Sequence, residues 1–300
     1  MPGRRLEGVF APIATLFDDD GELDLAAYAA NIEWYCQSPL DGIVIMGSNG
    51  EFASLSDDEK LRLIEAGVSA TNGRKLVLAG TGSESTRGTI RMTRAAAELG
   101  VDYALVVTPH YYRPRYDRAA FVKHYQSVAE ASPIPVLVYI MTAYTGVDLP
   151  SATVAELSRH PNIIGVKDSA GNAVKFAEMV AMSEPEFSVL AGSANFLYAA
   201  LCLGAAGGIL ALADIAPREC VEVRELFLAG EHERARAAQF NLLAPNAAVT
   251  TQFGIGGLKA ALGMVGLATS DPRLPMLPAT DAERAEIQRI LERAGILARV

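Results

Sequence analysis

The sequence predicts an α/β fold of the (β/α)8, or TIM, barrel type with a C-terminal helical extension, and three observations carry that reading. Eight short apolar runs alternate with longer amphipathic or alanine-rich stretches. The runs are apolar nearly throughout rather than at every second position, which means burial on both faces and so parallel strands beneath helices. No glycine-rich phosphate loop follows the first run, where Ile13-Ala14-Thr15-Leu16-Phe17-Asp18 stands, so an open doubly wound sheet lacks its usual mark.

Taken in order, strands are expected at 8–16, 42–46, 76–79, 103–107, 136–140, 163–167, 188–191 and 207–210. Helices are expected between them at 25–37, 57–71, 85–99, 117–131, 151–160, 172–182 and 195–203. Helix starts are well marked. Ser56-Asp57-Asp58-Glu59 and Ser83-Glu84-Ser85-Thr86 bring capping hydroxyls and first-turn acids, and Asp148-Leu149-Pro150-Ser151 does the same for the fifth helix. After the eighth strand the alternation stops. Stretches 217–229, 231–243, 253–263 and 281–294 read as helices, punctuated by Pro245-Asn246-Ala247 and Gly254-Ile255-Gly256-Gly257. The expected division is a catalytic barrel over 1–230 and a helical extension over 231–300.

Half the residues are hydrophobic and a fifth are charged, so a large core is expected and disorder is not. A formal net charge of −9 argues against nucleic acid or an anionic membrane as the main partner. No apolar run reaches the ~18 residues of a membrane span. The opening MPGRRLEGVFAP meets a strand too soon to read as a targeting peptide. Cys36, Cys202 and Cys220 are odd in number and far apart, which reads as reduced thiols in a cytoplasmic protein. His110, His124, His160 and His232 have no metal-ligand spacing, and no metal is expected.

In a barrel of this kind the strand C-terminal ends face the active site. Lys167 ends the apolar run Ile163-Ile164-Gly165-Val166-Lys167, where a lysine is out of place. The other lysines, 60, 75, 123, 175 and 259, read as helix-surface or loop residues. An amine withdrawn from water loses solvation of its charged form, and the free amine attacks ketones to give a Schiff base. The bland alternative is a strand-end lysine that snorkels to water. Tyr139 ends the neighbouring strand, about 4.8 Å away, so both side chains can reach one substrate, with the phenol as acid and base. A core tyrosine with a satisfied hydroxyl is the competing reading. The loop Gly47-Ser48-Asn49-Gly50-Glu51 offers Ser48, Asn49, Gly50 and backbone N–H groups to a carboxylate, or is an ordinary turn. Tyr111 and Tyr112 form an exposed aromatic pair. His110 reads as a satisfied polar contact. Asp168 alternates to the outer face as a structural acid. Gly204, Gly207 and Gly208 read as close packing around strand eight rather than a phosphate cup.

On these residues the chain resembles the dihydrodipicolinate synthase / N-acetylneuraminate lyase superfamily of Schiff-base aldolases over nearly its whole length. The family's Gly-x-x-Gly-Glu loop is matched at 47–51 and its Thr-Pro-x-Tyr at 108–111. Its strand-five tyrosine followed by Thr-Gly is matched at Tyr139 and Thr145-Gly146, and its Gly-x-Lys at 165–167. Within the superfamily the stretches 47–52, 160–163, 167–169, 190–194 and 245–255 are most similar to the 4-hydroxy-2-oxoglutarate aldolases.

The resemblance implies cleavage of 4-hydroxy-2-oxoglutarate to pyruvate and glyoxylate without metal or cofactor. Lys167 would be the Schiff-base amine and Tyr139 the acid and base. Tyr111 would relay protons with Ser48 and Tyr139, crossing from a neighbouring subunit, which implies a homo-oligomer, commonly a dimer of dimers. Ser169, Gly192 and Ile209 complete the expected substrate-binding set with Ser48, Asn49, Gly50 and Tyr144. Tyr144 stands where the family's synthases carry an arginine for the second substrate's carboxylate. A phenol gives no bidentate carboxylate contact, which argues against dihydrodipicolinate synthesis. The alternatives are another pyruvate-dependent lyase, dehydratase or synthase of the superfamily, including sialic acid and sugar-acid lyases, and a catalytically silent metabolite-binding member. A sugar-phosphate enzyme on the same barrel would need a basic residue near strands seven and eight, and residues 192–213 contain none.

Overall fold

The computed structural model describes residues 5–297, so residues 1–4 of the opening segment lie outside the described residues. Eight parallel strands close into a barrel in chain order, with the eighth returning to the first. They are β1 (Gly8–Ala11), β2 (Gly42–Ile45), β3 (Leu76–Gly80), β4 (Tyr103–Val107), β5 (Val136–Ile140), β6 (Ile163–Asp168), β7 (Ser188–Ala191) and β8 (Gly207–Ile209). Helices α1 (Leu25–Gln37), α2 (Asp57–Thr71), α3 (Thr86–Glu98) and α4 (Arg118–Ala131) follow the first four strands. A single turn α5 (Thr142–Thr145) and then α6 (Ser151–Leu157) follow β5, and α7 (Ala173–Met182), α8 (Leu197–Cys202) and α9 (Pro217–Leu228) complete the ring. The extension holds α10 (His232–Ala247), α11 (Gly254–Met264) and α12 (Asp281–Arg293). No helix among the described residues is long and apolar enough to cross a membrane.

Strand alternation divides the core in two. Leu137 and Tyr139 face the barrel interior with Phe10, Val44, Leu78, Leu105, Leu190 and Ile209. Val136, Val138, Ile140 and Val166 face outward into the layer beneath the helices. Both faces of the strands are therefore buried, which is why they read as unbroken apolar runs. The β1/β8 seam is tight. Gly207 (φ 152°) pairs with Gly8, and a side chain there would run into the Gly8 carbonyl. Close packing, not a phosphate cup, accounts for that glycine.

Several boundaries differ from the sequence reading. The first strand ends at Ala11 rather than at residue 16, because Pro12 has no N–H to continue the ladder. Residues beyond it stay tied to the second strand and its loop, with the Ile13 N–H on the Val44 carbonyl and the Thr15 hydroxyl on the Gly50 carbonyl at 2.7 Å. The fifth helix stops at Leu157, and 195–203 divides into a 3-10 turn at Ala194–Phe196 and α8. In the extension, Pro245-Asn246-Ala247 does not stop a helix: α10 runs through it and opens into the wide turn Ala248–Gln252 before α11. Gly254 to Gly257 likewise begin α11 rather than break the chain.

Candidate active site

The register of β5 against β6 pairs Tyr139 with Lys167 and Ile140 with Asp168. Because successive side chains alternate faces, Tyr139 and Lys167 both point into the barrel and Asp168 points out. Both inward residues are buried, and the Lys167 Nζ lies 4.2 Å from the centroid of the Tyr139 ring. Among the described residues no carboxylate lies within ion-pair distance of that amine, and no hydrogen bond engages it. Asp168 is occupied elsewhere. Its Oδ1 takes Lys175 Nζ at 3.1 Å, and Lys175 also pairs with Asp148. Burial raises the Asp168 carboxyl, and the Lys175 charge opposes that rise.

Loop 47–51 approaches from β2. The Ser48 hydroxyl lies 3.2 Å from the Tyr139 hydroxyl, which links the loop to the phenol. The Gly50 N–H is taken by the Gly47 carbonyl and the Glu51 N–H by the Ser48 carbonyl, so Gly50 has no N–H left to offer. The Asn49 amide donates to Asp214 at 3.3 Å. Ser169 and Gly192 meet across the β6 and β7 ends, the Ser169 hydroxyl donating to the Gly192 carbonyl at 3.4 Å. Ile209 lies in the barrel-interior cluster with Tyr139. Tyr144, on α5, is largely exposed. Burial of its phenol, and after that the neighbouring Tyr139, raises its pKa.

Tyr111 is not brought to this cluster within one chain. It is 74% exposed on the loop after β4, edge-on against Tyr112, and no hydrogen bond joins it to Ser48 or Tyr139. His110 is paired with Glu84 at 2.9 Å, as a satisfied polar contact should be.

Asp214 has no place in the sequence reading, Glu51 appears there only within the loop motif, and Lys259 and Lys175 only as helix-surface or loop lysines. Asp214, on the turn Ala211–Asp214 after β8, is fully buried. Its Oδ1 has no partner, and burial pushes its carboxyl well above the usual range, against the pull of Asn49 and the Lys167 charge. Glu51, with left-handed backbone at φ 54°, lies 2.5 Å from Lys259 Nζ and accepts the Arg273 N–H at 2.8 Å. Lys259 and Lys175 are thus buried and paired, not surface lysines. The apolar surroundings of Lys259 in Gly256-Gly257-Leu258-Lys259-Ala260-Ala261-Leu262 were the available signal, as was the apolar run around Asp214.

A family model described as the dihydrodipicolinate synthetase family matches residues 5–294. The chain belongs to that family. It is 35% identical to a 4-hydroxy-tetrahydrodipicolinate synthase of Exiguobacterium over 95% of this chain and 97% of that protein. It is 36% identical to an Emericella nidulans protein named "Probable 4-hydroxy-2-oxoglutarate aldolase, mitochondrial", over 94% and 92% of the two chains. Among solved structures, an Escherichia coli K12 prophage protein of the family, crystallised in complex with pyruvate, superposes with a TM-score of 0.92. The identity there is 28%, covering 97% of this chain and 99% of that one. The family's members are synthases and aldolases, and this chain is read with them as an enzyme.

A cavity of about 570 Å³ opens outward from Ser48. Its lining includes Phe52, Val107, Met141, Tyr144, Phe253, Ile255, Met276 and Leu277. The extension therefore supplies one wall of the space above the barrel mouth.

Proposed function

We propose that this protein is a Schiff-base aldolase that cleaves a 4-hydroxy-2-oxo acid to pyruvate and an aldehyde. One observation carries the reading: a buried amine without a counter-ion, stacked on a tyrosine whose hydroxyl meets a serine. The Lys167 Nζ adds to the C2 ketone while the substrate carboxylate lies against the loop at 47–51. The Tyr139 phenol gives its proton to the departing water, which leaves an iminium on Lys167 and a phenolate on Tyr139. The C3–C4 bond then breaks, its electron pair passing into the iminium, while the phenolate takes the C4 hydroxyl proton and the aldehyde leaves. Tyr139 next protonates C3 of the enamine, and water releases pyruvate. Ser48 holds the phenol in line throughout.

The exposed Tyr111–Tyr112 pair supports a homo-oligomer in which Tyr111 reaches a neighbouring subunit's site. The pyruvate bound by the E. coli relative supports pyruvate as the enamine half. The Emericella relative supports a 4-hydroxy-2-oxo acid as the substrate class, 4-hydroxy-2-oxoglutarate being the member in its name. The outer cavity bears on the member, because among the described residues no lysine or arginine lines it to meet a second carboxylate, which counts against glyoxylate as the aldehyde. For the reaction class, borohydride reduction in the presence of pyruvate should add the mass of a reduced pyruvyl group to the wild type and nothing at that site to Lys167→Ala. If Lys167→Ala gains the same adduct, another amine does the chemistry.

A further inference from the structure

The outer cavity has a chemical character of its own. Its walls are Phe52, Val107, Met141, Phe253, Ile255 and Leu277, drawn from the loop after β2, the end of β4, the β5–α5 junction and the extension. No lysine or arginine among the described residues lines it. The one carboxylate that does, Glu51, is already paired with Lys259 and offers a second carboxylate nothing.

Most of its polar groups are already engaged. The Thr145 hydroxyl donates to the Met141 carbonyl at 3.0 Å, His110 pairs with Glu84, and Ser48 is held by Tyr139. The Ser54 carbonyl accepts from Arg273 at 3.0 Å. The Tyr144 and Ser54 hydroxyls, among these, form no hydrogen bond within the described residues.

We propose that the aldehyde half of the substrate is neutral and mainly apolar: an aromatic or branched aliphatic aldehyde bearing at most two hydrogen-bonding groups, which Tyr144 and Ser54 meet. This rests on the aldolase reading above and names its substrate class. A carboxylate in this cavity would be stripped of water with no cation to receive it. A polyhydroxy chain would leave several hydroxyls without partners. An apolar group meets matching walls in a space of the size that encloses a small molecule. The bond changes are those of the aldolase step, with only the substituent on C4 specified.

The test runs the full-length enzyme in the condensing direction with pyruvate and single aldehydes. Benzaldehyde and isobutyraldehyde represent the apolar class, glyoxylate the charged class and erythrose the polyols. The kcat/KM for the apolar pair should exceed that for glyoxylate and erythrose by ~10-fold or more, the discrimination an apolar pocket supplies. Tyr144→Arg should shift the ratio toward glyoxylate. Borohydride trapping of the pyruvate adduct accompanies every arm. An adduct without preference for the apolar aldehydes overturns the inference and leaves the aldolase reading standing. No adduct in any arm overturns both.

Discussion

Lys167 and Lys259 are equally withdrawn from water, at 3% and 2% exposure, yet their surroundings are opposite. Lys259 has a full set of acceptors: Glu51 at 2.5 Å, the Ser270 hydroxyl at 3.2 Å and the Asp271 carbonyl at 3.0 Å. Burial lowers its pKa and Glu51 pulls it back up. That amine is a structural pin between the extension and the loop at 47–51. Lys167 has a ring face where Lys259 has a carboxylate. Asp214, on which the Lys167 charge acts, is itself pushed toward the neutral form by burial. Burial alone is therefore not the ground for proposing Lys167 as the reactive lysine; burial without a counter-ion is.

The sharpest way to break this comparison is to exchange the two amines' fates. Lys167→Ala should lower turnover by more than ~10⁴-fold, beyond what one acid–base group contributes, because the covalent route is lost. Lys259→Met, assayed where it remains folded, should still form the pyruvate adduct at Lys167. Equal loss of adduct in both variants would remove the distinction. Tyr139→Phe should come next, costing ~10²–10⁴-fold in kcat while the reduced adduct still accumulates on Lys167, only more slowly. A Tyr139→Phe enzyme with wild-type kcat would move the proton traffic to another group.

The parts of the site that the sequence displays are those carried by single elements. Lys167 and Tyr139 stand out because each is a polar group on a strand buried on both faces. Their pairing follows from the order of parallel strands. The first strand reads too long because Pro12-Ile13-Ala14 is as apolar as Val9-Phe10-Ala11, and only the missing N–H of Pro12 separates them. The outer cavity is not legible at all. Phe52, Met141, Ile255 and Leu277 come from segments that no local periodicity connects, and their meeting depends on how the extension folds back over the mouth. Lys259 was legible in principle, since a helix apolar on every side must be buried, but its partner Glu51 is over 200 positions away.

The Lys259–Glu51 pair gives a smaller and more structural expectation. Removing one member of a buried ion pair leaves the other charge uncompensated, at a cost of ~3–5 kcal/mol. Lys259→Met should lower the urea midpoint accordingly, and adding Glu51→Gln should restore a substantial part of it. A double variant no more stable than Lys259→Met would mean that the pair is not a unit. Because Glu51 also fixes the backbone next to Ser48, the single variant should raise KM for pyruvate more than it changes the trapped adduct's position.

The same contrast between partnered and unpartnered buried groups extends to His124 and yields a pH dependence. Its Nδ1 meets the Thr86 hydroxyl at 2.9 Å, while its Nε2 is buried with no partner. Burial, opposed by the Glu84 charge, lowers its pKa from 6.5 to about 4. The unfolded chain therefore binds a proton below pH 6.5 that the fold refuses until about pH 4, so stability falls with pH across that window and levels off below it. Glu59 acts lower down. Its bond to Arg273 brings its pKa from 4.5 to about 2, and the stability it contributes is lost between those values. His124→Phe should flatten the urea midpoint between pH 6.5 and 4 and leave the fall below pH 4.5 in place. A His124→Phe protein with the wild-type slope in the upper window would assign that slope to another group and show that the unpartnered Nε2 does not set it.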